Sequence, residues 1–396
     1  MKTKILGIAL FALTLGAVIY YPSLNAKHID SPPIEHIVAP LGNPKVDVVF
    51  VLDTTGSMSG LIQTAKEKIW SIASTMASAQ PTPEIRIGLV AYRDRGDHYV
   101  TKVVDLSADL DSVYATLMDF QADGGGDTPE SVNKALYDAV HNMSWSQGTQ
   151  AYQVVFLVGD APPHMDYQDE MKYPEIVAAA EKKGIVINTI QCGEIPTTAG
   201  PWTQIASLGH GKFFQVEQAG SAVALATPFD AEIAALSARL DDTRLYFGTE
   251  EEKERMASKV AATDKLHAVA SIESRARRAS FNAAAGGKAN LLGENELVDG
   301  VVSGTVKLDE LDEAELPAAL KPMAPAEQKA YIAGLAGERA ELQRQISGLA
   351  TDRDDYLKKK VEEAGGFKDS LDQKIYEAVA EQAEEAGFEY SDGPEY

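Results

Sequence analysis

The chain has 396 residues, a formal net charge of −23 and a single cysteine. So much negative charge argues against electrostatic capture of nucleic acid or anionic lipid. Lone Cys192 rules out an intramolecular disulfide and reads as a small buried residue after a strand.

Lys2 and Lys4 precede an apolar stretch from Ile5 to Tyr21, which ends in Pro22-Ser23-Leu24-Asn25-Ala26. This order predicts a secretory signal over residues 1–26, cleaved after Ala26. Leu24 is larger than the small residue preferred three before such a junction. An uncleaved inner-membrane anchor is therefore the alternative, at the short limit for a bilayer span. Either way the remainder lies outside the cytoplasm, secreted, periplasmic or in the cell envelope. Residues 27–44 read as a linker.

The apolar run Val46 to Leu52 has the character of a buried parallel strand and stops on Asp53-Thr54-Thr55-Gly56-Ser57. Oxygen side chains at the carboxyl end of such a strand sit where open α/β sheets place ligands. A carboxylate with two hydroxyls suits Mg²⁺, Ca²⁺ or Mn²⁺ rather than zinc. The same residue types also serve turns and helix caps, so this loop needs partners. Apolar residues at helical spacing follow from Ser59 to Ala79, then a strand over Ile85–Tyr92 and a helix over Leu110–Phe120. Gly124-Gly125-Gly126-Asp127-Thr128-Pro129-Glu130 is a flexible loop that opens a helix from Pro129 to Asn142, with the proline in its first turn. Val154–Gly159 is another apolar strand that ends on an aspartate, Asp160, and strands at Ile185–Ile190 and Lys212–Val216 follow. Strands alternating with helices predict a doubly wound, mostly parallel α/β sheet flanked by helices over residues 45–240.

These three loops, in this order, resemble the von Willebrand A domain with its metal-ion-dependent adhesion site. The resemblance implies that Asp53, Thr55 and Ser57 supply the first-loop ligands and Asp160 the third-loop acid, joined to the metal through water. In the second loop Asp127 stands where a threonine is commoner and Thr128 follows it, so either is a candidate. Thr55 replaces a commoner serine and keeps the hydroxyl. A third carboxylate at Asp127 would make the site bind cations more avidly and depend less on an acidic partner. The implied cofactor is Mg²⁺, with Ca²⁺ or Mn²⁺ as substitutes. The implied partner is a protein that supplies an Asp or Glu carboxylate to an open coordination position.

Other motifs carry less. Arg95-Gly96-Asp97 spells an integrin-recognition tripeptide, but three residues recur by chance. Gly56 and Gly60 flank Met58, so no nucleophile elbow is present, and the scattered histidines lack zinc spacing. His164, four residues after Asp160, sits on the expected rim. The first two loops also resemble A domains joined to atypical kinases. No nucleotide loop or catalytic Asp-Asn motif follows, however, and the chain is expected not to be an enzyme.

Residues 241–316 read as a helical and mixed region, with Ala283–Gly287 as a break. Pro317, Pro322 and Pro325 mark a linker over 317–325. In 326–363, Leu335, Leu342, Leu349 and Tyr356 fall seven apart and Ile332 and Ile346 take the second apolar position, which Arg339 and Arg353 interrupt. This partial heptad seam suits a coiled coil, and hence a homo-oligomer through 326–360, as well as it suits one amphipathic helix packed on its own domain. A structural envelope protein that oligomerises this way is a further reading. Residues 364–396 read as an acidic tail, with seven acids and no base from Glu377 to Glu395.

Overall fold

The computed structural model describes residues 44–126, 128–148, 151–220, 225–363 and 371–390. The expected signal or anchor, nearly all of the linker, and Asp127 lie outside the described residues. Among the described residues no helix is long and apolar enough to cross a membrane.

Six strands form one sheet: β1 (Lys45–Asp53), β2 (Glu84–Tyr92), β3 (Thr101–Ser107), β4 (Ala151–Gly159), β5 (Ile185–Cys192) and β6 (His210–Val216), in the order β3-β2-β1-β4-β5-β6. All neighbours are parallel except β2 and β3. Helices cover both faces, which explains why β1 and β4 read as continuous apolar runs rather than alternating ones. On β1, Val46, Val48, Phe50 and Leu52 join the core on one face, while Val49 and Val51 join the other. The first core holds α1 (Ser59–Ala77) and α2 (Leu110–Leu117). The second holds α3 (Val132–His141), α4 (Tyr173–Lys183) and α5 (Pro196–Leu208). Cys192 is fully buried, as expected.

The helix expected from Pro129 begins at Val132 instead. Glu130 is extended: its N–H bonds to the carbonyl of Pro162 and its carbonyl accepts from the N–H of His164. This bridge ties the second loop to the third, and it keeps Pro129 out of the helix.

A mainly helical region follows: α6 (Asp230–Asp241), α7 (Glu250–Val269), α8 (Ile272–Ala283), the short α9 (Lys288–Leu292) and α10 (Leu297–Ser303), then the long α11 (Pro325–Glu363). The stretch expected as a Pro-rich linker is packed, because Leu316 and Leu320 are buried with Leu297, Val298 and Ile332. The heptad row of α11 also faces its own chain. Ile332, Arg339, Leu342, Ile346, Arg353 and Leu357 are buried, and α11 packs on α6, α8 and α10. The two arginines that break the apolar row belong to it: Arg339 bonds to Glu296 and Thr243, and Arg353 to Asp230.

The acidic tail is not a solvated extension over its described part. Residues Leu371–Glu384 form α12, whose Leu371, Ile375, Ala378, Val379 and Ala383 enter the first core of the sheet domain together with Phe388. Polar contacts fix the same face: Gln382 exchanges hydrogen bonds with Asn188 and accepts one from Tyr152, and Glu381 pairs with Lys212. Glu381, Glu384 and Glu385 are exposed while the apolar residues fill the sheet's flank. Phe388→Ala is expected to cost about 3–5 kcal/mol, whereas Glu385→Ala on the exposed face should stay within about 0.5 kcal/mol. Urea unfolding of the full chain checks both, and a neutral Phe388→Ala would show that the tail contributes nothing to the domain's core.

Candidate metal centre

The strand order reverses between β1 and β4, whose carboxyl ends are neighbours, and the crevice there is where a doubly wound sheet accommodates ligands. Asp53 closes β1 and is fully buried. One carboxylate oxygen, Oδ1, accepts from the N–H and hydroxyl of Thr55 at 2.9 and 2.7 Å. The other, Oδ2, is buried and has no hydrogen-bond partner. The Thr55 hydroxyl lies 3.4 Å from the hydroxyl of exposed Ser57. Asp160 leaves β4 beside them, and its Oδ2 accepts from Gln218 at 2.8 Å. The same amide reaches the carbonyl of Ser57 at 3.4 Å, which links the first and third loops. Thr198 and Trp202 on α5 hold the third loop by bonding to the carbonyls of Asp160 and Ala161.

Gly159 is required by close approach. A Cβ there would lie 2.5 Å from the Tyr92 hydroxyl, 2.8 Å from the Asp53 Cβ and 3.0 Å from its Oδ2. The second loop is drawn over this cluster by main-chain bonds, Gly56 N–H to Gly124 O and Asp123 N–H to Thr54 O. Arg93 reinforces it by donating to the carbonyls of Thr54 and Gln121. Gly124 and Gly125 both have positive φ, 77° and 78°, which a side chain rarely adopts. Asp97 accepts from the N–H groups of Asp94 and Gly125, and Arg95 pairs with Asp169 and Glu170. The charges of the Arg-Gly-Asp tripeptide are thus used within the rim. His164 is part of that rim as well: it stacks on Tyr167 and contacts Asp94 and Asp166.

The structure therefore brings together Asp53, Thr55, Ser57 and Asp160. Thr128 is exposed, and Asp127 lies outside the described residues. Among the described residues no group of three His, Cys, Asp or Glu side chains is placed to hold a metal ion without the hydroxyls. The converging donors are carboxylates and hydroxyls, an all-oxygen set suited to a hard divalent cation.

Glu130, Tyr92 and Gln218 join this centre without a local sequence pattern that marks them as site residues. Glu130 is 3% exposed, and its Oε2 has no partner; the buried Tyr92 hydroxyl has none either. Burial pushes the Asp53 carboxyl up to about 7, against the Thr55 hydrogen bonds, with Asp160 adding repulsion. Burial pushes Glu130 up to about 9, helped by the charges of Asp53, Asp94, Asp97 and Asp160. Tyr92 is raised well above the ordinary phenol range by burial and by the charges of Asp53, Glu130 and Asp160. Buried carboxylates without a cationic partner are costly in the charged form. The signal available in the sequence was Glu130 at the end of the GGGDTPE segment, three residues after Asp127.

The match to a family model agrees with this architecture. Residues 47–217 match the family model described as von Willebrand factor A domain. A curated ariadne-like RING finger protein of Acanthamoeba polyphaga mimivirus is 30% identical over 122 residues, 30% of this chain. The chain spans 11% of the length of that protein. Among solved structures, the SpRpn10 VWA domain is 13% identical, with 44% of this chain and 89% of that one covered at a TM-score of 0.34. Proximal thread matrix protein 1 from the mussel byssus is 16% identical, with 44% of this chain and 42% of that one covered at a TM-score of 0.34.

Proposed function

We propose that this chain, whose residues 47–217 form a von Willebrand factor A domain, is an extracytoplasmic protein-binding module that works through a divalent cation. Domains of this kind are generally protein-interaction modules. In this reading Asp53, Thr55, Ser57 and Asp160 hold Mg²⁺, or Mn²⁺ or Ca²⁺ in its place, and Asp127 or Thr128 completes the set. A partner protein fills the open coordination position with an oxygen, for which an Asp or Glu carboxylate is the strongest single-residue donor. The metal is then a contact point and the chain is not an enzyme. Export rests on the basic and apolar sequence of residues 1–26, as adhesion or assembly at the envelope also does.

The observation that carries the reading is the Asp53 carboxyl: fully buried, one oxygen oriented by Thr55, the other without a partner. A bound cation supplies the missing positive charge. Because the folded pKa of Asp53 is raised, its contribution to metal-free stability is greatest below the unfolded value near 4 and is lost as pH rises toward 7. In EDTA, changes at this centre should therefore lower the melting temperature between pH 5 and pH 8. Mg²⁺ at about 100 times its Kd should add about 2.7 kcal/mol, most visibly at pH 8, where Asp53 has largely given up its proton. Thermal unfolding with Mg²⁺ and with EDTA measures this, and a melting temperature indifferent to Mg²⁺, Mn²⁺ and Ca²⁺ at pH 8 would sink the metal reading. Metal-dependent capture from envelope extracts, wild type against Asp53→Ala, then tests the partner.

A further inference from the structure

We propose that Glu130 is a third acid of the cation centre, accepting a hydrogen bond from a metal-bound water and so orienting it; this rests on the metal reading above. Three observations carry it. First, Glu130 is fixed between the loops by its main chain, with its N–H on Pro162 and its carbonyl on His164, while its carboxylate makes no structural bond through Oε2. Second, the carboxylate faces the first loop across Gly125: a Cβ there would stand 3.0 Å from the Thr55 Cβ and 3.4 Å from the Glu130 Oε1. Third, the nearby Asp53 Oδ2 and Tyr92 hydroxyl are also buried without partners. A buried polar atom nearly always has a partner, and three orphan oxygens in one crevice call for a shared one.

Among the described residues no group of three such side chains is placed to hold a metal ion directly, so water is the suitable intermediary. Water on a divalent cation is a strong donor, and both orphan carboxylate oxygens are acceptors. Tyr92 can donate to or accept from the same water, since its hydroxyl retains its proton. Outer partners of this type commonly change metal affinity by about 10–100-fold.

Mn²⁺ titration of the full chain by electron paramagnetic resonance tests the assignment, with thermal unfolding in EDTA as the control for folding. Glu130→Gln is expected to weaken Mn²⁺ binding by about 10–100-fold with the EDTA melting temperature unchanged or raised. Glu130→Asp, which keeps the charge but withdraws it by one methylene, should fall between Glu130→Gln and wild type. Affinity within twofold of wild type in Glu130→Gln, with binding abolished in Asp53→Ala, overturns the role of Glu130 and leaves the metal reading standing. Binding unchanged in both variants overturns both.

Discussion

Asp53→Ala should abolish divalent-cation binding, with at least about a hundredfold loss of affinity, without weakening the metal-free fold at pH 8. The substitution removes hydrogen bonds from the N–H and hydroxyl of Thr55, each of net worth about 1 kcal/mol. It also removes a buried carboxyl that lacks a cationic partner and has one unpaired oxygen, and desolvating such a group costs more than either bond returns. Calorimetric titration with Mg²⁺ reads the first effect, and melting in EDTA reads the second. Asp53→Asn keeps the shape and the Thr55 contacts, so it should match the loss of binding with an even smaller change in the fold. A variant that binds Mg²⁺ normally would remove Asp53 from the centre. One that loses more than about 2 kcal/mol in EDTA would make Asp53 a structural residue, because surface-independent losses of that size need a broken buried interaction.

The largest electrostatic effect on stability is expected at Arg278. Its guanidinium is 1% exposed and meets both oxygens of Asp111 at 2.6 Å, those of Asp241 at 2.7 and 3.0 Å, and the hydroxyl of Ser237 at 3.0 Å. Arg278 on α8 thereby joins α2 of the sheet domain to α6 of the helical region, with Lys259 on α7 beside Asp111. Arg278→Met leaves two buried carboxylates short of their cation and should cost about 3–5 kcal/mol. Adding Asp111→Asn and Asp241→Asn removes the stranded charges and should recover at least half of that. Against the cost of burial, Arg278 holds Asp111 far below the carboxylate range and Asp241 down to about 2. The sign is opposite to that at Asp53. This stability is present above about pH 4 and is lost as pH falls toward 2, and Arg278→Met should show a smaller loss over that window. Urea unfolding at pH 7 and pH 3 measures all three proteins, and additive effects of the substitutions would mean the charges are not coupled.

β1 and β4 are legible as runs of apolar residues, because a parallel strand buried on both faces must be apolar throughout, and β2, β5 and β6 are legible as shorter apolar stretches interrupted by polar residues. β3 escapes that reading. It lies at the edge of the sheet, antiparallel to β2, and Lys102, Val103 and Asp105 are exposed, so neither a run nor a clean alternation survives. α5 is hidden for a different reason: Pro196-Thr197-Thr198-Ala199-Gly200-Pro201 is a poor helix former by composition, and the packing of Trp202 and Ile205 under the sheet overrides propensity. Arg339 and Arg353 read as breaks in a seam because their partners, Glu296 and Asp230, are 43 and 123 residues away.

At the centre the same division holds. Asp53, Thr55, Ser57 and Asp160 follow directly from local order, since a strand that ends on an oxygen side chain places that side chain at the sheet's carboxyl edge. Those positions at the sheet edge, the α/β class and the alternation of strands and helices are what the sequence determines by itself, through spacings of a few residues. Only the tertiary structure decides that Glu130 is buried without a partner, that Gln218 braces Asp160, and that an acidic tail closes the sheet's flank with Phe388. Burial and missing partners depend on which distant segments meet, and no short-range pattern in the chain encodes that.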